Sequence, residues 1–133
     1  SGRMCEFCKI VKGGIKPYIV YEDNVAIAFL DIDPINEGHI LLIPKEHYLD
    51  ADDMPNELFH NLMAISKDLI KAIKKTYNSP GYSIMQNGGK FNDIGHYHMH
   101  IFPRYNNDKF GWTYNELDKD YNQEIADKIS ANM

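Results

Sequence analysis

Cysteine is scarce in this chain, and long apolar runs are missing. Only Cys5 and Cys8 occur among its 133 residues, too few for the disulfide framework of a small secreted domain. No apolar run approaches the roughly 18 residues that a membrane-spanning helix needs, and no secretory leader pattern precedes the first polar segment. We therefore expect a cytoplasmic protein that makes no contact with a membrane.

Blocks of basic residues are missing as well. The chain has 14 Lys and Arg against 19 Asp and Glu, a formal net charge of −5. Because long nucleic acids are bound by clustered positive charge, a nucleic-acid polymer is excluded as an expected partner. A small phosphorylated ligand stays possible, since one local site can be positive on an acidic protein.

The sequence contains no internal repeat, low-complexity stretch or linker. Its hydrophobic fraction of 44% is enough for one continuous core in a chain of this length. We expect a single domain over residues 4–133, with residues 1–3 (Ser-Gly-Arg) an expression remnant ahead of Met4.

Short alternating or β-rich segments predict about five strands, separated by turn-forming residues. The segments are Tyr18–Tyr21, Val25–Leu30, Ile40–Ile43, Tyr82–Met85 and Tyr97–Phe102. The connection between the first two is too short for a parallel crossover, so they should form an antiparallel hairpin.

Helical periodicity predicts one long helix between the third and fourth strands. Its apolar positions are Leu58, Leu62, Ile65, Leu69 and Ile73; Asp52 or Asp53 is expected to cap its start, and the run Asn78–Gly81 to end it. Shorter helices are expected over Cys5–Lys12 and around Leu117, Tyr121, Ile125 and Ile129. The pattern indicates an α+β domain with an antiparallel sheet, one long helix and shorter terminal helices.

Three histidines alternate with apolar residues near the end of the chain. In an extended strand His96, His98 and His100 would line one face, while Tyr97, Met99 and Ile101 fill the other. Each unsatisfied buried imidazole costs roughly 1–3 kcal/mol, so a purely structural strand would favour Val or Thr at these positions. The row therefore indicates a functional site holding a nucleophile, a proton carrier or metal ligands.

The spacing of Cys5 and Cys8 is C-x-x-C. Taken alone, this pattern is compatible with a metal knuckle, a redox pair or two ordinary thiols. A thioredoxin-like pair should follow a strand in a βαβ unit, whereas this one lies at the start of the chain.

The run His96–Phe102 resembles the H-φ-H-φ-H-φ-φ signature of the histidine triad (HIT) nucleotide-binding proteins. The segments Phe29–Pro34 and Gly38–His47 are similar to another block of that family, and Pro103–Tyr105 follows the triad as in many bacterial members. The resemblance extends from about Cys5 to Trp112, is closest to the Hint-like branch, and implies a single HIT-like domain.

The resemblance implies an enzyme that removes a nucleoside monophosphate, such as AMP, from a small leaving group. The middle histidine is the family's nucleophile, which gives His98 that role. It would attack the α-phosphorus and carry the nucleotide until water releases it. His100, with backbone amides near Asn92, would stabilise the phosphoryl oxygens, and His96 completes the catalytic triad.

The resemblance also implies a nucleotide-binding set. Asp31 matches the residue that binds the ribose hydroxyls. The base slot corresponds to Phe7, Ile10, Ile15, Phe29 and Ile32, and the phosphate side to Asn87, Asn92 and Asp93. His39 resembles a family histidine near the site and belongs to the nucleotide-binding set, either directly or as a support for it. Many members carry a Gly-Gln-Ser-like segment before the triad, whereas this chain has Phe91–Ile94, which leaves the roles of Asn92 and Asp93 open.

Zinc-containing members and the related galactose phosphate uridylyltransferases carry a similar C-x-x-C with two histidines. By that similarity a structural Zn²⁺ would be held by Cys5, Cys8, His47 and His96, with no metal required for the chemistry. The resemblance further implies a homodimer.

Three functions stay open. A hydrolase could act on purine nucleoside phosphoramidates or adenylates, or on dinucleoside polyphosphates. A nucleotide-binding or scaffold protein with vestigial catalysis would bind without turnover. A zinc-binding redox module would require Cys5 and Cys8 to cycle.

Overall fold

The computed structural model describes residues 5–14 and 16–133, so the remnant expected at residues 1–3 lies outside it. Its strands are β1 (Ile19–Glu22), β2 (Ala26–Leu30), β3 (Ile40–Pro44), β4 (Gly81–Met85) and β5 (Met99–Arg104). Its helices are α1 (Glu6–Val11), α2 (Asn56–Tyr77) and α3 (Gln123–Ser130). The expected α+β fold is confirmed.

All five strands form one sheet in the order β1-β2-β3-β5-β4, and every neighbouring pair is antiparallel. The expected hairpin between β1 and β2 is confirmed. Its turn is fixed by Asp23, whose Oδ1 accepts hydrogen bonds from the backbone N–H groups of Val25 and Ala26.

The side chains of the central strands alternate between the two faces of the sheet, and both faces are buried. One face packs against α2; its buried members include Ala26, Ala28, Ile40, Leu42, Met99 and Ile101, with Leu62, Leu69 and Ile73 from the helix. The other face packs against Phe7 of α1 and consists of Ile27, Phe29, Leu41 and Ile43. The histidines lie on this second face, beside α1.

The start of α2 differs from expectation. Neither Asp52 nor Asp53 caps it, because both lie in a separate 3-10 turn over Ala51–Asp53. Pro55 occupies the N-cap position without a side-chain hydrogen bond. At its other end the helix stops as expected, where Asn78 takes the left-handed conformation with a φ of 49°.

The C-terminal helix is shorter than its apolar pattern suggested. Asn122 caps α3 by accepting a hydrogen bond from the N–H of Glu124, so Leu117 and Tyr121 precede the helix. These two side chains are 61% and 80% exposed. Within the described part of the chain, no helix is both long and apolar enough to cross a membrane.

The last strand starts two residues later than expected, at Met99 instead of Tyr97. The N–H of Tyr97 bonds to the carbonyl of Tyr48, which lies outside the sheet. The predicted alternation nevertheless continues through this segment. Tyr97, Met99 and Ile101 are buried in the core against α2, which leaves the histidines for the opposite side.

Candidate functional site

A cavity of about 620 Å³ opens beside α1, over the histidine face of the sheet. His98 and His100 lie in its wall, with their ring centroids 5.0 Å apart. The remaining lining residues are Glu6, Phe7, Ile10, Lys16, Pro17, Tyr18, Phe29, Leu30, Asp31, Ile32, Asp33, Leu41, Asp93 and Ile94. Apolar walls with a few charged groups are typical of a small-molecule site.

The hydrogen bonding of His98 determines which of its two ring nitrogens carries the proton. Its Nδ1 lies 2.9 Å from the carbonyl oxygen of His96. A carbonyl only accepts, so Nδ1 carries the proton and Nε2 carries the lone pair. His98 is 4% exposed, and Nε2 forms no hydrogen bond with any residue that the structure describes. Phe7 packs against this ring in an edge-to-face arrangement, with the centroids 5.3 Å apart.

A chain of hydrogen bonds fixes the tautomer of His100. The N–H of Ile35 donates to Nδ1 of His39, so His39 carries its proton on Nε2. That Nε2–H lies 2.9 Å from Nδ1 of His100, which must accept. The neutral His100 therefore carries its own proton on Nε2, where it can donate to a ligand. Asp31 Oδ2 lies 3.5 Å from His39 Nε2 and 3.9 Å from His100 Nδ1.

Burial keeps these rings neutral. The pKa of His100 falls from 6.5 to about 4, first because burial disfavours the charged ring and then because His98 and His39 lie nearby; the carboxylates of Asp31 and Asp93 oppose the shift. Burial also lowers the pKa of His39, against the attraction of Asp31. At neutral pH the site thus offers N–H donors without full positive charges.

Most of the residues expected to bind the nucleotide reach the cavity. They are Phe7, Ile10, Phe29, Asp31, Ile32 and Asp93. Ile32 is 84% exposed, so it lies at the rim of the cavity and outside the hydrophobic core. Asp31 is held in place by accepting a hydrogen bond from the N–H of Asp33. Ile15 lies outside the described residues.

Three other expected residues do not line the cavity. Asn87 is exposed in the loop after β4. Asn92 ties the loop before the triad together: its Nδ2 donates to the carbonyl of Leu49, and its Oδ1 accepts from the N–H groups of Ile94 and Gly95. His39 acts on the cavity through His100 and Asp31. The structure thus places Asn92 and His39 as supports for the site.

Several lining residues were missed by the sequence reasoning. Leu41 could have been found, because it alternates with Ile40 and Leu42, whose side chains take the opposite face. Lys16 and Tyr18 carried no such signal, since the chain brings them to the cavity in a segment between α1 and β1.

Two cysteines and two histidines form a cluster beside the cavity. Cys5, Cys8, His47 and His96 each point one donor atom into it, and these atoms lie within 4.8 Å of one another. The two sulfurs are 2.9 Å apart, well beyond the roughly 2.05 Å of a disulfide. His47 Nδ1 lies 3.2 Å from the sulfur of Cys8.

The tautomer of His96 fits metal binding. Its Nε2 donates to the carbonyl of Pro44 at 2.9 Å, so its Nδ1 lone pair faces the sulfurs of Cys5 and Cys8 at 3.4 and 3.5 Å. Burial, and then the neighbouring Cys5, raise the pKa of the Cys8 thiol to about 11. A bound cation would reverse that shift by stabilising the thiolate. The four residues can therefore hold a metal ion.

Comparison with known proteins gives the family. The HIT domain profile matches residues 12–107. The adenosine 5'-monophosphoramidase of Saccharomyces cerevisiae is 39% identical over 135 residues, which cover 97% of this chain and 82% of the yeast protein.

Solved structures agree with the sequence match. A HIT family protein from Bacillus subtilis superposes with a TM-score of 0.87 at 34% identity, covering 98% of this chain and 94% of that one. A zinc-bound histidine triad family protein from Mycobacterium smegmatis gives a TM-score of 0.75 at 32% identity, covering 96% of both chains. This chain belongs to the HIT family.

Proposed function

We propose that this protein is a nucleotide hydrolase that releases AMP from a small leaving group through a covalent intermediate on His98. The observation that carries the proposal is the Nε2 lone pair of His98, which lies in the cavity wall without a partner among the described residues while Nδ1–H donates to the carbonyl of His96. Such a ring is held in the tautomer and orientation that nucleophilic attack requires.

In the first step, His98 Nε2 forms a bond to the α-phosphorus while the bond from phosphorus to the leaving group breaks. The leaving group departs with the electron pair and takes up a proton from solvent. His100 Nε2–H donates a hydrogen bond to a phosphoryl oxygen or to the departing atom as negative charge grows there. In the second step, water attacks the phosphorus and gives up a proton to solvent while the bond from phosphorus to Nε2 breaks; AMP leaves with the new oxygen, and His98 regains its lone pair.

The nucleoside occupies the rest of the cavity. Asp31 binds the ribose hydroxyls, and the base lies between apolar side chains such as Phe7, Ile10 and Phe29. The yeast relative named an adenosine 5'-monophosphoramidase supports phosphoramidates or adenylates as the substrate class. Dinucleoside polyphosphates are the alternative, because the same attack at an α-phosphorus would cleave them.

The metal cluster is proposed as a structural zinc site. Two thiolates with two imidazoles are a donor set typical of Zn²⁺, and the relative from Mycobacterium smegmatis is described as zinc-bound. The ion would join α1 to the segment that carries His98 without touching the substrate. Because both thiolates would be bound to this structural ion, redox cycling of Cys5 and Cys8 is the less favoured function.

The test is intact-protein mass spectrometry after mixing with adenosine phosphoramidate, with AMP release followed in the same samples. We expect a transient adenylyl adduct and AMP release, both lost in His98→Ala. The control is His60→Ala, because His60 is exposed on α2 and outside the cavity. Binding of AMP without turnover of phosphoramidates or dinucleoside polyphosphates would instead favour the binding-protein function.

A homodimer is also proposed. The apolar side chains of the edge strand β1 are exposed, with Ile19 at 52% and Val20 at 45%, and apolar edges are commonly covered by a second copy. Light scattering coupled to size exclusion checks the mass. A monomer at micromolar concentration would contradict the proposal.

A further inference from the structure

The cavity wall is acidic, although the proposed substrate carries phosphate. Four of its lining residues are carboxylates, namely Glu6, Asp31, Asp33 and Asp93, whereas Lys16 supplies the only lining lysine or arginine among the described residues. A polyanionic leaving group would bring further negative charge into this wall. A positively charged leaving group would find an attractive field.

The four carboxylates differ in how far they are neutralised. Glu6 lies 3.5 Å from Lys9, and Asp31 is engaged by His39 and by the Asp33 backbone. The carboxylates of Asp33 and Asp93 form no hydrogen bond or ion pair with any residue in the described ranges. The negative charges of these two residues are therefore available to a ligand.

Asp93 also lies on the reactive side of the cavity. Asp31 and Asp33 follow β2, where the ribose is proposed to bind, whereas Asp93 belongs to the segment that leads into the triad. Its charge acts on His100, whose pKa it raises against the effect of burial. His98, the proposed nucleophile, lines the same cavity as Asp93, and its Nε2 has no partner in the described chain.

We propose that Asp93 selects leaving groups that carry a cationic ammonium, such as diamines or aminoacyl groups, over neutral leaving groups and polyphosphates. This inference rests on the proposed hydrolase function. After the bond to the α-phosphorus forms at His98, the leaving group lies beyond the phosphorus, within reach of the Asp93 charge. The ammonium pairs with that carboxylate, whereas a polyphosphate is repelled by it.

The test uses three AMP phosphoramidates of matched chain length, whose amines are n-butylamine, 1,3-diaminopropane and β-alanine. Their far ends are neutral, positive and negative, and because the far charge also changes the basicity of the leaving amine, the effect of Asp93 is measured as the change in the rate ratio on Asp93→Asn. We expect kcat/KM to be about fivefold higher for the cationic than for the neutral compound, as for a partly solvated ion pair, and lowest for the anionic one. The cationic preference should shrink at 1 M salt, where screening acts over roughly 3 Å.

The variant Asp93→Asn should reduce the ratio of the cationic to the neutral rate towards one. That ratio is informative even if overall activity falls, because both substrates share the AMP moiety and the attack. Asp118→Asn removes an exposed carboxylate outside the cavity and should keep the full ratio.

The possible failures are distinguishable. Equal kcat/KM for all three compounds, or an unchanged ratio in Asp93→Asn, overturns the role of Asp93 while the hydrolase function stands. Release of AMP from none of the three, nor from adenosine phosphoramidate or a dinucleoside polyphosphate, overturns both. If Asp93→Asn does not fold, a cationic preference in the parent protein that resists 1 M salt refutes the electrostatic selection.

Discussion

Protonation of His100 should destabilise the folded protein. In the fold, burial lowers the pKa of this ring from 6.5 to about 4. Between those pH values the unfolded chain binds a proton at His100 that the folded chain does not bind. The stability contributed by the neutral ring is therefore complete above pH 6.5 and is lost as the pH falls towards 4.

The size of this loss in unfolding free energy follows from the shift in the pKa of His100. The whole displacement of the pKa corresponds to about 3 kcal/mol of unfolding free energy, of which about 2 kcal/mol is lost between pH 7 and pH 5. The side chain is 16% exposed, so solvent screening reduces this figure little. His100→Asn removes the titrating ring and keeps a short acceptor for the Nε2–H of His39.

The assay is urea unfolding of the parent protein and of His100→Asn at pH 7 and pH 5. Each measurement is made with and without a chelator, so that the acid release of any bound metal is separated from the protonation of His100. We expect the parent to lose about 2 kcal/mol more than His100→Asn over this interval. NMR titration of the ring should give a midpoint near 4, well below the ordinary 6.5, because burial disfavours the charged ring. Equal losses in the two proteins, or a midpoint near 6.5, would refute the reasoning.

Further predictions concern the supports of the site. Cys8→Ser should lose zinc on dialysis, because a serine hydroxyl is a poor ligand for this ion; elemental analysis checks it, and full retention would speak against the proposed ligand set. Gly38→Ala should lower the melting temperature, since its Cβ would clash with the Tyr77 ring and its φ of +90° disfavours a side chain; an unaltered transition would mean that the ring moves freely. Asn92→Ala should cost about 2 kcal/mol in chemical unfolding by freeing the bonds that hold Ile94, and a loss under 0.5 kcal/mol would contradict that role.

The periodicity of the sequence determined the strands, the long helix and the face that each strand residue takes. Alternation placed Tyr97, Met99 and Ile101 in the core and the histidines opposite, and the structure agrees even where the strand itself begins later, at Met99. Side-chain direction follows from extended backbone, whereas strand bounds depend on which neighbour accepts each N–H.

The length of the C-terminal helix could not be predicted in the same way. An apolar pattern that includes Leu117 and Tyr121 favours a helix, but the capping of α3 by Asn122 sets its start. In the described chain these two side chains are largely exposed. Without a buried surface, local capping outweighs apolar periodicity.

The sequence by itself determined which residue types make the site: three alternating imidazoles, a C-x-x-C pair and an aspartate after a strand. Only the tertiary structure decided how these residues divide between the metal cluster and the cavity. His96 joins Cys5 and Cys8, while His98 and His100 face the cavity. The tautomers were decided there too, because they depend on which distant carbonyl or N–H each ring nitrogen meets, and no local pattern encodes those contacts.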